Sequence, residues 1–343
     1  MGNWIMKTLA IVGCGHWGPN HIRTFNSFAK SRVKCVVDSD EKRLADLREQ
    51  FDGIDCVQDI EVILRDPEVD AIVIASPTAT HYELVRTALA AGKHVLCEKP
   101  LAKTSDQAEE LVDMADRTNR VLMVGHVFLF NGGIIKLKEL CQTGELGTPQ
   151  YFASSRTNLG PIRNDVNAAY DLATHDIAIF NWLLESEPES VSATGQSFLQ
   201  PGIEDVVFIS MRYSEGAVAN VRASWLDPKK VRQISIVGTK QMATWDDLDL
   251  TSPVAIYDKG AMVEDHYKDY GDFLRISMWD GDVRLPRIKL SEPLRTQNLH
   301  FLDALDGKPY RSDGRFAAGI VRTVEAAAKS LALGGTPVSI QKR

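Results

Sequence analysis

Short apolar runs alternate with longer amphipathic stretches through the first third of the chain, a pattern that predicts strands separated by helices. The strands fall at residues 7–13 (KTLAIVG), 33–37 (VKCVV), 54–57, 71–75 (AIVIA), 93–97 and 121–124. The helices fall at 20–30, 40–51, 59–65, 81–91 and 105–118. Strands and helices at this pace specify a doubly wound parallel sheet that closes near Gly125.

Beyond Gly125 the pattern changes. A helix is expected over 134–141, ended by Gly144 and Gly147, then a strand over 150–156 and a helix with apolar residues at helical spacing over 171–184. From Ser190 to about Leu290 the chain alternates apolar and polar residues, as in 206–213, 217–225 and 231–237. The turn Ser214-Glu215-Gly216 and the stop at Gly238 suit hairpins, so this half reads as an antiparallel sheet. Two closing helices, 294–305 and 315–331, are separated by Asp306-Gly307-Lys308-Pro309. Two domains follow, 1–125 and 126–343, with no internal repeat, low-complexity segment or linker.

A length of 343 residues suits two domains, each large enough for a core. A net charge of -7 without any acidic or basic block argues against nucleic acid and anionic membranes as partners. The cysteines (Cys14, Cys35, Cys56, Cys97, Cys141) are odd in number and lack C-x-x-C spacing, which suggests reduced, buried thiols in a cytoplasmic protein. Met1 to Lys7 lacks the apolar core of a signal peptide, and no run is long enough to span a membrane. Scattered His and Cys residues show no metal-ligand spacing, so no metal is expected.

The first strand runs into Gly13-Cys14-Gly15-His16-Trp17-Gly18 and then a helix. In such a loop the first glycine permits the turn, the second lets backbone approach a pyrophosphate, and the third allows helix and strand to pack closely. The second strand ends in Asp38, twenty residues after Gly18, placed to accept from the ribose hydroxyls of NAD. Asp38 would repel a 2′-phosphate, although Lys42 and Arg43 soften that, so NAD is favoured over NADP. The competing reading of Asp38 is an N-cap for the helix over 40–51.

The strand at 93–97 leads into Glu98-Lys99-Pro100. Proline cannot continue the ladder, so the strand stops and presents Lys99 at its tip, where ligands of open α/β sheets bind. The competing reading is a solvated Glu98–Lys99 pair. Asp171 and His175, four apart, share a helix face, and an imidazole is a plausible general base for a hydroxyl. Their alternatives are an N-cap for Asp171 and a carbonyl-bonded helix residue for His175. Arg156, Asn158 and Arg163 lie between the strand and that helix, where a substrate carboxylate, phosphate or amide could be held, or where they are surface charge. His81 opens its helix near the expected nicotinamide position but also reads as structural; His16 and His126 read as local hydrogen bonders.

With these residues in hand, the chain resembles the glucose-fructose oxidoreductase, inositol dehydrogenase and rhizopine catabolism (Gfo/Idh/MocA) family over nearly its whole length. The resemblance rests on Gly13 to Gly18, Asp38, Ser76-Pro77-Thr78, the run Ala91 to Pro100, Gly144-Glu145-Leu146-Gly147 and Asp171-x-x-x-His175. It implies a Rossmann domain followed by an α/β domain with a large, open, mainly antiparallel sheet whose free face mediates homodimers or homotetramers. It also implies that Gly13, Gly15, His16, Trp17, Gly18, Asp38, Ser76, Pro77, Thr78, His81, Glu98 and Lys99 serve the cofactor. Lys99, Asp171 and His175 would be catalytic, and Lys99, Arg156, Asn158, Arg163, Asp171 and His175 would contact substrate.

Within the family, Trp17-Gly18-Pro19-Asn20 and the segment from Asn158 to Asp171 look most like the branch that oxidises UDP-linked N-acetylamino sugars at C3. Ala173-Thr174 departs from the proline or glycine expected before His175. In the implied chemistry His175 takes a hydroxyl proton, hydride passes to NAD, and Lys99 stabilises the alkoxide, or a desolvated Lys99 is itself the base. An inositol or free-sugar dehydrogenase or reductase, an NAD-dependent glycoside hydrolase and a non-catalytic NAD-sensing regulator remain alternatives.

Overall fold

The computed structural model describes residues 6–264 and 275–341. Met1 to Ile5, in the segment read as lacking a signal core, and 265–274, in the alternating stretch, lie outside the described residues.

The chain forms two compact units, one of Met1–Phe130 and Ser291–Arg322, the other of Asn131–Leu290 and Thr323–Arg343. In the first, the strands are β1 (Lys7–Val12), β2 (Ser31–Val37), β3 (Asp55–Val57), β4 (Ala71–Ile74), β5 (His94–Glu98) and β6 (Leu122–Gly125). They alternate with α1 (Gly18–Asn26), α2 (Glu41–Gln50), α3 (Glu61–Arg65), α4 (Thr78–Ala90) and α5 (Ser105–Thr118). The parallel sheet has the order β3-β2-β1-β4-β5-β6, so the chain reverses direction across the sheet between β1 and β4. That is the switch point at which doubly wound sheets bind ligands. The continuous apolar runs of β1 and β4 are explained by burial on both faces.

The first unit does not end the division at residue 125. Helix α8 (Pro293–Leu305) returns to α1: Phe301 meets Phe25 edge-on at 6.4 Å, and Arg295 lies 4.4 Å over the Phe28 ring. Ala317, Ala318 and Val321 of α9 (Gly314–Ala332) share one core with Ile72, Ile74 and Leu111. Nothing local in these segments marks the unit they pack against, which a contiguous reading of 126–343 cannot show.

The second unit contains α6 (Gly132–Gln142), β7 (Pro149–Thr157), a π-helical turn (Ala169–Ala173), α7 (Thr174–Leu184), β8 (Ser190–Gln196), β9 (Val206–Arg212), β10 (Val218–Ser224), β11 (Val231–Gly238), β12 (Met242–Asp246), β13 (Val254–Glu264), β14 (Arg275–Arg284) and β15 (Val338–Ser339). Its sheet runs β14-β13-β12-β11-β7-β10-β9-β8-β15. The β7–β10 pair is parallel and the other pairs are antiparallel. Alternation along β9 and β10 buries Val207, Ile209, Met211, Ala219, Val221 and Ala223 on one face while Phe208 and Val218 stay exposed on the other. Phe152 of β7 and Phe180 of α7, 5.4 Å apart, join sheet to helix.

Candidate active site

The loop after β1 is shaped by its glycines. Gly13 has φ +96°, and a Cβ there would lie 2.6 Å from both Ala75 C and Ser76 N. A Cβ on Gly18 would lie 2.3 Å from Gly13 O, whereas one on Gly15 would meet nothing within 4 Å. The loop is thus closed against β4 and α1 at two points and open at the third, ahead of the free N–H groups of α1, which suits a pyrophosphate.

Asp38 closes this arrangement: its Oδ2 accepts from Cys14 N at 2.6 Å and its Oδ1 from Asp40 N at 2.9 Å. It does not cap α2; Asp40 does, accepting from Lys42 N. Arg43 stands 3.7 Å from the Asp38 carboxylate, and Trp17 is partly exposed with His16 edge-on against it. Burial pushes the Cys14 and Cys35 thiols up to about 12, and Cys141, half-buried like Cys56, to about 11, which leaves them protonated and unreactive.

At the end of β5 Lys99 is half-buried, and the following peptide to Pro100 is cis. Glu98 is turned inward, its Oε1 3.0 Å from His21 Nε2, and His21 Nδ1 lies 3.1 Å from the Asn298 amide. The amide donates to Nδ1, so Nε2 carries the proton toward Glu98. Gly125 makes room: a Cβ there would meet Glu98 Oε1 at 2.9 Å. His21 and Asn298 thus hold Glu98 in place, a role no local signal reveals across 277 residues.

His81 is a correction to the cofactor reading. It is 1% exposed, with Nδ1 2.7 Å from Pro100 O and Nε2 2.9 Å from Ser76 O, so it braces the turn after Lys99 against the entry to α4. Ser76 meets Thr80 through its hydroxyl, and Pro77 and Thr78 open α4, which starts a turn earlier than the pattern suggests.

His126 is a second correction. It is buried, neither ring nitrogen has a hydrogen-bond partner among the described residues, and its ring packs edge-on against Phe316. Burial first, then the Lys99 charge, push its pKa down to about 3. The folded value lies below the unfolded one, so its contribution to stability is intact above about pH 6.5 and falls away as the pH drops below that. At pH 5 the loss from His126 is about 2 kcal/mol. Urea unfolding at pH 7 and pH 5 should show His126→Phe losing less stability than wild type between the two; equal losses would reject this. His94, held at about 4 by burial, accepts from Val121 N at Nδ1 and adds acid sensitivity of its own.

In the second unit Asp171 lies inside the π turn, not at an N-cap, and the helical backbone runs on through His175. A π turn forms where a helix accommodates one extra residue, often at functional sites. Asp171 Oδ2 accepts from Trp225 Nε1 at 3.2 Å and Oδ1 from Arg163 Nη1 at 3.4 Å, so its carboxylate is held as an acceptor. Arg163 also grips Asp165, donating from Nε and Nη2 at 2.8 and 2.6 Å. The Asp165 hydrogen bonds first, and Asp171 with them, raise the Arg163 pKa above its ordinary value. His175 is half-buried one turn on, and Asn158 donates its backbone N–H to Ser224 O.

Arg156 departs from the substrate-contact reading. It is 2% exposed and donates from Nε and Nη2 to both oxygens of Asp176, at 2.8 and 2.9 Å. Arg156 therefore ties β7 to α7 beside His175. Sequence reasoning also misses Trp225, whose signal is an indole just past the end of β10, and Asp176, whose signal is a carboxylate heading an apolar run: Ile177, Ile179 and Phe180 follow it and are all buried.

A glycine loop on a parallel sheet, with an acid after β2, is the arrangement of a dinucleotide-binding domain. The oxidoreductase-family model with an NAD-binding Rossmann fold matches residues 7–126, and the GFO/IDH/MocA C-terminal domain model matches residues 134–244. The chain belongs to the Gfo/Idh/MocA oxidoreductase family. It is similar to inositol 2-dehydrogenase 2 of Saccharopolyspora erythraea, 33% identical over 62% of this chain and 65% of the relative, just under two thirds of its length. It is also similar to UDP-N-acetylglucosamine 3-dehydrogenase of Acidithiobacillus ferrooxidans, 30% identical over 75% of this chain and 78% of that one. The crystal structure of GenD2 from gentamicin A biosynthesis, in complex with NAD, shares the fold with a TM-score of 0.81 and 24% identity over 99% of this chain and 98% of that one. Among the described residues no helix is long and apolar enough to cross a membrane.

Proposed function

We propose that the protein oxidises a secondary ring hydroxyl of a pyranose, at C3, with NAD as hydride acceptor. The observation that carries this is the helix bearing Asp171 and His175, with Asp171 fixed as an acceptor by Trp225 and Arg163. An acceptor so fixed orients a sugar hydroxyl, and a neighbouring imidazole removes its proton. His175 takes the O–H proton and the same carbon gives up a hydride, for which bound NAD would supply the acceptor, so that a ketone remains. Lys99, as a cation, stabilises the alkoxide as it forms. The name of the Acidithiobacillus relative supports the C3 position and a UDP-linked N-acetylamino sugar, and the Saccharopolyspora relative supports a cyclitol.

The test is incubation of the full chain with NAD and a panel of free pyranoses, methyl glycosides, UDP-N-acetylglucosamine and myo-inositol. NADH absorbance and mass spectrometry read the outcome. A sugar product two mass units lighter, with NADH, is expected. Release of free sugar without NADH would point to the hydrolase, and NAD binding without turnover of any member to a regulator.

A further inference from the structure

The chemistry proposed above leaves Glu98, the last residue of β5, without a part. Its side chain is 11% exposed and lies against Gly125 of β6, where an added Cβ would meet Oε1 at 2.9 Å and Oε2 at 3.0 Å. Oε1 accepts from His21 Nε2 at 3.0 Å, and among the described residues Oε2 meets no donor. No lysine or arginine among the described residues pairs with Glu98, so the solvated Glu98–Lys99 pair expected as an alternative is not formed. His21 is wholly buried and takes the Asn298 amide at Nδ1, so the ring meets Glu98 as a neutral donor. The carboxylate is held in place, yet its charge is not neutralised by an ion pair.

Asp38 follows β2, the glycine loop follows β1, and β4 and β5 come next across the sheet. A dinucleotide whose adenosine ribose meets Asp38 and whose pyrophosphate meets the loop has its nicotinamide half on the side of β4 and β5. That half changes charge in the reaction, since the ring is a cation in NAD and neutral in NADH. Lys99 follows Glu98 directly. After burial itself, the Lys99 charge helps push His126 down to about 3, so a buried ring at this strand end feels it. The same cation works against the oxidised nicotinamide, because charges act on one another far more strongly through protein than through water.

Resting on the reading of NAD as the hydride acceptor, we propose that Glu98 is the counter-charge that lets a cationic Lys99 and a cationic nicotinamide share one strand end, and that it sets the preference of the protein for NAD over NADH. The oxidised ring is attracted by the carboxylate and the reduced ring is not, so the form consumed in oxidising a hydroxyl is the form held more tightly. His21 and Asn298 are positioning residues, which keep the carboxylate against Gly125 without cancelling its charge.

The experiment measures the dissociation constants of NAD and NADH on the full chain without sugar, NADH by its fluorescence and NAD by displacement of NADH. Glu98→Gln keeps the shape and an acceptor for His21 Nε2 but removes the charge. It is expected to raise the ratio of the NAD constant to the NADH constant by about tenfold or more, chiefly by weakening NAD. A merely structural Glu98 would be rescued by glutamine. His21→Gln keeps a donor beside the carboxylate and should leave the ratio near that of wild type. Lys99→Met removes the opposing charge and should lower the ratio, which keeps the proposal open to refutation even where Glu98→Gln does not fold. The proposal is overturned if Glu98→Gln leaves the ratio unchanged or weakens both nucleotides alike, if the ratio follows His21 in place of Glu98, or if Lys99→Met does not lower it. Those results remove this inference alone; a wild-type chain that binds neither nucleotide removes the reading of NAD as hydride acceptor as well.

Discussion

His175→Ala is expected to lower kcat by about 10²- to 10⁴-fold while leaving NAD affinity within a few-fold of wild type, because removing a general base acts on the chemical step. Asp171 cannot easily substitute. Both of its oxygens already accept hydrogen bonds, from Trp225 and Arg163, and taking a proton would weaken both. Added imidazole should restore part of the His175→Ala rate, which a merely structural histidine would not show.

Lys99 separates the two assignments of the base. Arginine keeps a positive charge but does not give up its proton, so Lys99→Arg tests charge against proton transfer. If Lys99 acts as a cation, Lys99→Arg should retain far more activity than Lys99→Ala, and His175→Ala should be the more damaging change under rescue-free conditions. If Lys99 is the base, Lys99→Arg and Lys99→Ala should be equally inactive. Near wild-type turnover in both His175→Ala and Lys99→Ala would remove the site altogether. The comparison is read from kcat and KM together, with NAD affinity measured by fluorescence titration to show that the nucleotide-binding unit is intact.

The parts of this molecule that were legible in the sequence are those set by local chemistry. Gly13 and Gly18 are needed because any side chain there would collide with backbone, and Asp38 follows β2 at the distance the turn requires. The parallel sheet was legible because its strands are buried on both faces, and β9 and β10 because theirs alternate. What was hidden depends on partners distant in the chain. Arginine is so seldom buried that Arg156 reads as a surface or ligand residue until β7 is seen lying between β11 and β10. Likewise the orientation of Glu98 depends on Asn298, and the burial of His126 on Phe316 of α9. The π turn at Asp171 was hidden for another reason: nothing in Ala169–Ala173 marks a π turn in the sequence, and only the backbone shows it.

The Arg156–Asp176 pair carries the largest expected effect on stability. Each side chain is about 2% exposed, and the guanidinium fork meets both carboxylate oxygens. Taking the two charges out of water costs nearly as much as their attraction returns, so the intact pair adds little net stability, yet losing one partner leaves the other charged and buried. Asp176→Ala is therefore expected to destabilise the protein by about 3–5 kcal/mol, and Arg156→Ala by a similar amount. An Arg156→Met/Asp176→Leu double variant should recover most of that loss, since apolar side chains of similar length remove the buried charge along with its partner. Calorimetric unfolding of the four proteins checks this: a double variant no more stable than the singles would mean that the pair's polar contacts, and not its buried charge, hold β7 to α7. The same four proteins report on the site, because Asp176 follows His175 directly. If the fork sets the position of α7, the double variant should regain stability without regaining full kcat, with KM for NAD unchanged; recovery of both together would make the pair a matter of stability alone.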